Sequence, residues 1–318
     1  MTMRRERITG HCAASRVACL LLGLLLPVGP AHAEKIRVVT TTTDLKALAE
    51  AVGGEEVEVE SLTKGYQDLH NVAIKPSHIR QLFRADLFVR VGLDLDYWAD
   101  SLLDAGRNPR VAPGGPGYVD ASQGIALLEV PTAPVDRSAG DIHIFGNPHY
   151  WLDPENVRII TGNILAGLER VAPDRAGTFR MNRARFLSAF EDVLGGWRKR
   201  LEPLRGTKVV TYHRTWSYFA RRFGLDVVGY VEPKPGVPPS AAHVGQLIGT
   251  MKREKVRLII QDSYFDRRTA DFVAREAGAQ VLVLPTSVEG VAGVRTYLEL
   301  FDYIVESLVR AVTGSAGG

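Results

Sequence analysis

Short hydrophobic runs alternate with stretches of helical periodicity in both halves of the chain. Residues 35–41 are β-branched and alternate in polarity, and the helical residues 45–52 that follow end at Gly53-Gly54. Such an alternation of strands and helices is typical of parallel sheets with helices on their faces. In the first half we also predict strands at residues 57–60, 86–91, near Tyr118 and at 125–130, and helices at residues 76–83 and 96–103.

The same pattern begins again in the second half. The strand predicted at residues 208–211 is followed by His213 and a helix that ends at Phe223. Ser240 is a suitable cap for the next helix, because its hydroxyl can accept a hydrogen bond from the first turn. The other elements predicted here are strands at residues 225–231, 256–261 and 280–284, and helices at residues 240–255, 266–277 and 293–312.

The longest helical stretch of the sequence separates the two halves. Asp153 can cap a helix that starts at Pro154, and Pro173 begins a second helical stretch of about 30 residues, or about 45 Å. We expect Gly195-Gly196 to kink this second helix. The sequence therefore predicts an α/β protein with two similar parallel-sheet lobes, residues 34–153 and 206–318, joined by long, rigid linking helices at residues 154–205.

The first 33 residues have the three parts of a secretory signal peptide. A basic start precedes an apolar run at residues 17–26, and the small-residue motif Ala31-His32-Ala33 follows. The apolar run is too short to span a bilayer comfortably, so it is not expected to be a membrane helix. We predict cleavage near Ala33 and a periplasmic mature protein.

Loss of this segment changes the charge and the ligand chemistry of the chain. Of the 39 basic and 36 acidic residues, four arginines and one glutamate lie within residues 1–33, so the mature chain carries 35 of each. A neutral chain gives no support for nucleic-acid binding. Cys12 and Cys19 are the only cysteines and both lie in the leader. Any metal site must therefore use His, Asp or Glu.

Three of the six remaining histidines have the same relation to the predicted elements. His70 lies in the loop after the second strand, His149 in a stiff turn before the linking helices, and His213 directly after a strand. Ligands of open α/β sheets bind at the carboxyl ends of strands, so these side chains can converge in the cleft between the lobes. Three neutral imidazoles suit Zn²⁺, although each histidine could instead be a half-buried structural residue.

A tetrahedral zinc site needs a fourth ligand, for which the sequence offers carboxylates. Asp262, at the tip of a predicted strand, is the first choice and Glu289 the second. We expect His143, in a polar loop near the mouth of the cleft, to assist metal capture at most. His78 and His243 are predicted to be ordinary surface or outer-shell groups.

Three protein ligands and an open position are also a catalytic pattern, which leaves an exported zinc hydrolase as an alternative. Asp262 or Glu232 would then be the general base. However, the sequence contains no His-Glu-x-x-His motif, no Gly-x-Ser-x-Gly motif and no P-loop.

Several of these motifs occur together, in order, in one known family. The chain resembles the metal-binding receptors of bacterial ABC importers, the solute-binding protein 9 family for zinc, manganese or iron. The similar stretches are residues 40–44, 65–70, 75–77, 85–89, 147–156, 211–213 and 232–239. The resemblance covers nearly all of the mature chain and implies two α/β lobes on a rigid helix, with the metal between them.

The resemblance also implies site residues and partners. His70, His149 and His213 match the histidine ligands of the family. The family usually places an aspartate ligand after the last strand, but residues 284–290 contain none, so Asp262, Glu289 or a water molecule is left for that position. The implied function is that of a non-enzymatic, monomeric receptor that delivers Zn²⁺, before Mn²⁺ or Fe²⁺, to an ABC permease and its ATPase. A periplasmic metallochaperone is a further candidate partner.

Overall fold

Two parallel sheets organise the part of the chain that the computed structural model describes, which is Thr2 and residues 34–132, 143–234 and 236–314. The first sheet contains β1 (Ile36–Thr40), β2 (Val57–Ser61), β3 (Leu87–Arg90) and β4 (Tyr118–Asp120) in the order β2-β1-β3-β4. The second contains β5 (Lys208–Thr211), β6 (Asp226–Tyr230), β7 (Leu258–Asp262) and β8 (Gln280–Leu284) in the order β6-β5-β7-β8. All neighbouring strands are parallel, and the two orders are equivalent. The predicted pair of similar α/β lobes is confirmed.

Nine α-helices complete the described fold. Side chains cap the first turn of some of them: Thr42 accepts a hydrogen bond from the backbone N–H of Leu45, and Ser240, the expected cap, accepts one from that of His243. The helices are α1 (Thr43–Gly53), α2 (Pro76–Arg84), α3 (Trp98–Gly106), α4 (Val157–Val171), α5 (Ala176–Leu201), α6 (Ser217–Phe223), α7 (Ala241–Glu254), α8 (Arg268–Ala277) and α9 (Tyr297–Gly314).

The strand registers bring the functional loops to one edge of each sheet. In the first sheet, Thr40 at the end of β1 is paired with Ser61 and Val89 on its two neighbours. In the second, Thr211 at the end of β5 is paired with Tyr230 and Ile260. The loops that follow neighbouring strands therefore start side by side, as parallel pairing requires.

Helix α5 connects the two halves through a shared hydrophobic core. Its residues Phe190, Leu194 and Trp197 are buried in a cluster that also contains residues of both sheets. The Trp197 ring lies 5.3 Å from the ring of Phe301 in α9, and its Nε1 donates a 2.7 Å hydrogen bond to Asp302. Since this core is continuous from one half to the other, large movements between the halves would disrupt it.

The structure corrects the prediction in two places. Residues 125–130 do not form a strand; Glu129 has a left-handed φ of 53°, which extended backbone does not tolerate. The second linking helix is shorter than predicted, because turns of 3₁₀ helix occupy Pro173–Arg175 and Glu202–Leu204. Helix α5 itself is continuous over 26 residues, through Gly195 and Gly196, which face open space.

Apart from Thr2, the predicted leader lies outside the described residues. None of the helices between residues 34 and 314 that the structure describes is long and apolar enough to cross a membrane. The boundaries of the lobes and linking helices at residues 153 and 205 stay predictions.

Candidate metal centre

His70 is fixed in the loop after β2 by a neighbouring carboxylate. Oδ1 of Asp68 accepts a hydrogen bond from the backbone N–H of His70 and lies 2.8 Å from His70 Nδ1. Burial alone would raise the pKa of Asp68, but its bonds with His70 lower it to about 2. The carboxylate therefore stays ionised and keeps the proton of His70 on Nδ1. This leaves Nε2, which is buried and has no hydrogen-bond partner, free to bind a metal.

His149 is placed by a network around Asn147. Asn147 Oδ1 accepts a 2.9 Å hydrogen bond from the backbone N–H of His149, and Asn147 Nδ2 donates to the carbonyl of Arg214 in the second half of the chain. The His149 ring packs edge-on against Trp151, with 5.3 Å between centroids. The residue is 2% exposed, and neither ring nitrogen has a partner.

The predicted cap of the helical segment after His149 is present. Asp153 Oδ1 accepts a hydrogen bond from the backbone N–H of Glu155 at the start of a short 3₁₀ turn. Both Asp153 oxygens also accept hydrogen bonds from the Arg222 guanidinium, at 2.6 and 2.7 Å. Asp153 is therefore a structural residue that holds this turn against α6.

His213 follows β5 and is oriented from the neighbouring strand. Its Nδ1 lies 2.6 Å from Oε2 of Glu232, which comes just after β6. The parallel register explains this contact, because Thr211 and Tyr230 are paired at the strand ends. Both side chains are almost completely buried. Burial lowers the pKa of His213, although Glu232 opposes this shift.

The three histidines meet between the two sheets. One ligand nitrogen from each of His70, His149 and His213 can be chosen so that all lie within 4.8 Å of one another. The ring centroids are 5.2 Å apart for His70 and His149, 5.2 Å for His70 and His213, and 5.5 Å for His149 and His213. Such closely spaced imidazole nitrogens, of which His70 Nε2 and both nitrogens of His149 are buried without a partner, are the donor set of a transition-metal site.

His143 belongs to the same cluster of rings. Its centroid lies 5.2 Å from that of His70 and 6.2 Å from that of His149, and its Nε2 is buried without a partner. Burial, followed by the neighbouring imidazoles of His70 and His213, lowers its pKa to about 3. The same causes put the pKa of His149 well below its ordinary value. Both rings are therefore neutral at physiological pH, as metal ligands must be.

The structure does not bring Asp262 into this group. Asp262 ends β7 as expected, but Trp216 Nε1 and Thr215 Oγ1 donate hydrogen bonds to its two oxygens, at 2.8 and 3.3 Å. Burial raises its pKa to about 8. The carboxyl holds the turn after His213, and the structure does not group it with the three histidines.

The second-choice carboxylate and the remaining histidines also lie outside the group. Glu289 is salt-bridged to Lys46 of α1, at 3.1 Å. His78, predicted to be a surface or outer-shell group, is buried in α2, and His243 Nε2 lies 2.9 Å from the carbonyl of Tyr230.

Sequence reasoning missed the roles of Asp68 and Glu232. The signal for Asp68 was its spacing, since an acidic residue two positions before a histidine in a loop can reach the ring. The signal for Glu232 was the register of β5 and β6. Both carboxylates bond the Nδ1 side of a histidine, as the outer partners of zinc-binding histidines do.

A pocket adjoins the cluster and reaches three of its histidines. Its wall combines these rings with charged residues from both halves of the chain. The lining residues are Glu129, His143, Asn147, Pro148, His149, His213, Arg214, Pro233 and Lys234.

Known proteins share both the sequence pattern and the fold. A family described as "Zinc-uptake complex component A periplasmic" matches residues 38–311. The chain is 27% identical to the iron-binding protein YfeA of Yersinia pestis over 87% of this chain and 86% of that protein. It is 25% identical to the high-affinity zinc uptake system protein ZnuA of Bacillus subtilis over 81% of this chain and 80% of that protein.

Solved structures agree with these relatives. A crystal structure of ZnuA covers 87% of this chain and 99% of its own, with 25% identity and a TM-score of 0.74. FpvC from Pseudomonas aeruginosa, solved in complex with Mn²⁺, has the same fold, with a TM-score of 0.74 at 21% identity over 89% of this chain and all of its own. These are uptake and binding proteins, so the hydrolase alternative finds no support. The chain belongs to the family of periplasmic zinc-uptake components, the solute-binding receptors of metal ABC importers.

Proposed function

We propose that this receptor captures a divalent metal ion, Zn²⁺ before Mn²⁺ or Fe²⁺, through His70, His149 and His213. It then delivers the ion to an ABC permease driven by its ATPase. The observation that carries the proposal is the meeting of three ligand nitrogens within 4.8 Å, supplied by both sheet-bearing halves and by the segment between them.

The protonation state of the cluster favours metal binding. A histidine binds a metal only as neutral imidazole, so each proton that must leave weakens binding. Burial lowers the pKa of His149 and His213, and the pKa of His143 beside them is about 3. The cation therefore displaces few protons at neutral pH.

The donor chemistry favours zinc. Imidazole suits zinc, whereas manganese prefers oxygen ligands such as carboxylates. Asp68 and Glu232 bond to the Nδ1 atoms of His70 and His213, which orients the rings and leaves their Nε2 atoms toward the cluster. The similar proteins include both an iron-binding protein and a zinc-uptake protein. The proposed preference for zinc therefore rests on the donor atoms of this site.

The surrounding fold supports release without a large hinge movement. The hydrophobic core runs continuously through α5, and Trp151 Nε1 donates a 2.8 Å hydrogen bond to the carbonyl of Thr286 across the halves. We propose that binding and release involve local movement of the loops that carry the histidines. We also propose export of a monomer through a leader cleaved near Ala33, with a periplasmic metallochaperone as a candidate donor of the metal.

Metal analysis of the protein recovered from the periplasm without added metal tests this function. We expect about one zinc per chain, and preference for Zn²⁺ over Mn²⁺ when both compete against a chelator. His149→Ala should abolish binding, whereas His243→Ala, which changes a histidine outside the cluster, should leave it intact. Absence of bound metal, or equal binding by the His149→Ala protein, would refute the proposal.

A further inference from the structure

We infer that His143 is the fourth ligand, so that four imidazoles and no carboxylate surround the metal. This inference rests on the proposed function, because it completes the site formed by His70, His149 and His213. The observation behind it is that the ring of His143 packs against those of His70 and His149 and has a buried Nε2 without a hydrogen-bond partner.

The spacing of the rings fits a tetrahedral shell. Imidazole nitrogens bind zinc at about 2.0–2.1 Å, which places the ring centres of two tetrahedral ligands about 5.2 Å apart. His143 lies at 5.2 Å from His70, the same separation as those of His70 from His149 and His213. Its separation from His149 is 6.2 Å, so a shift of about 1 Å on metal binding would bring this pair to the separation expected for two tetrahedral imidazoles.

The burial pattern around His143 is the reverse of what hydrophobicity alone would produce. Ile144 and Phe145 are 54% and 52% exposed, while the neighbouring imidazole places Nε2 in the interior. Burial of a polar atom without a partner is unfavourable, and apolar side chains ordinarily take the inside positions. A bound cation would compensate for this arrangement, because it would occupy the lone pair of Nε2.

A short turn fixes His143 relative to His149. The backbone N–H of Gly146 donates a 3.2 Å hydrogen bond to the carbonyl of His143, and that of Asn147 donates one of 2.8 Å to Leu128. Gly146 has a φ of 116°, and a Cβ there would lie 3.0 Å from the Leu128 carbonyl oxygen. The turn therefore requires glycine at position 146. It holds His143, six residues before His149, beside the other histidines.

The carboxylates that could compete for this position are engaged elsewhere. Asp262 is bonded to Trp216 and Thr215, and Glu289 is bonded to Lys46. Glu129, on the wall of the same pocket, accepts hydrogen bonds from Ser217 Oγ and Asn147 Nδ2. His143 is thus better placed than any of these oxygens to fill the shell.

X-ray absorption spectroscopy at the zinc edge, on the exported mature protein loaded with one Zn²⁺, tests this inference. We expect four imidazoles per zinc in the wild-type protein, and three with one water oxygen in His143→Ala. Zinc affinity should fall by at least about tenfold, since even loss of an outer contact to a ligand costs about 10–100-fold. Ile144→Ala is the matched control and should leave both readings unchanged.

A second variant changes the donor atom without emptying the position. His143→Asp offers an oxygen in place of nitrogen, so the affinity for Mn²⁺ should rise relative to that for Zn²⁺. If the wild-type protein binds zinc with three imidazoles and His143→Ala has the same spectrum, this inference is overturned while the proposed receptor function stands. If the wild-type protein binds no zinc, both fail.

Discussion

The two halves of the molecule orient a histidine in the same way but build the contact differently. In the first half, Asp68 lies two residues before His70 in the same loop, with side-chain exposures of 30% and 10%. In the second half, Glu232 reaches His213 from the neighbouring strand, with exposures of 7% and 3%. One contact depends on local loop geometry and the other on the register of a sheet. The second is better shielded from solvent, so its electrostatic strength should be greater.

Removal of one histidine from either half should produce the largest effect. His70→Ala and His213→Ala each take away a ligand, so we expect each to lower zinc affinity by more than the roughly 100-fold that loss of an outer contact can cause. Competition with a chelator measures both. A normal affinity in either variant would show that the site does not need both halves.

Neutral replacements of the two carboxylates should distinguish the contact in one half from the contact in the other. Glu232→Gln and Asp68→Asn keep the size of each side chain but remove the charge that orients the imidazole. We expect losses of zinc affinity of about 10–100-fold, with the larger loss for Glu232→Gln because that pair is more deeply buried. In the same competition assay, high salt should reduce the loss caused by Asp68→Asn more than the loss caused by Glu232→Gln, because the Asp68 pair is more exposed. Equal losses that respond equally to salt would contradict the comparison.

The comparison also explains what the sequence could predict. Parallel strands that end at one edge bring His70 and His213 toward the same cleft, and this follows from strand order alone. Glu232 could be found in the same way, from its place just after the strand beside β5. The two-residue spacing of Asp68 and His70 is also evident in the sequence and indicates that the carboxylate can reach the ring.

Two features depended on details that periodicity does not contain. All five residues of β7 are buried, so the strand has no polar face to indicate where Asp262 points. The partners of Asp262 are Thr215 and Trp216, whose positions follow from a short turn after His213. His143 depends on the positive φ of Gly146 and on the contact of that turn with Leu128, in a loop without regular periodicity.

Asp262→Asn should distinguish a structural carboxyl from a ligand. The pKa of Asp262 is raised to about 8 from an ordinary 3.8, so the folded chain keeps a proton that the unfolded chain releases above about pH 4. Its contribution to stability is therefore present below that pH and is lost as pH rises toward 8, by up to about 1.4 kcal/mol per pH unit.

Thermal unfolding of the metal-free protein between pH 4 and pH 8 measures this effect. The midpoint should decline less steeply in Asp262→Asn than in the wild type, and zinc affinity should be nearly unchanged. An unchanged pH profile together with a large loss of zinc binding would restore Asp262 as a ligand.

A substitution in the connection between the halves should have the smallest effect on zinc affinity. Trp197→Phe keeps an aromatic ring beside Phe301 but removes the hydrogen bond to Asp302. We expect the free energy of unfolding to fall by about 1–3 kcal/mol, since the acceptor is charged, with little change in zinc affinity. Chemical denaturation gives the first quantity. A large loss of affinity would mean that α5 transmits changes to the metal site.

The most direct test is a crystal structure of the zinc-loaded protein with anomalous data above and below the zinc absorption edge. We predict one strong peak per chain, bonded to nitrogens of His70, His149 and His213 from the two halves and the segment between them. Absence of a peak there, or a zinc ion bound away from these three rings, would contradict it.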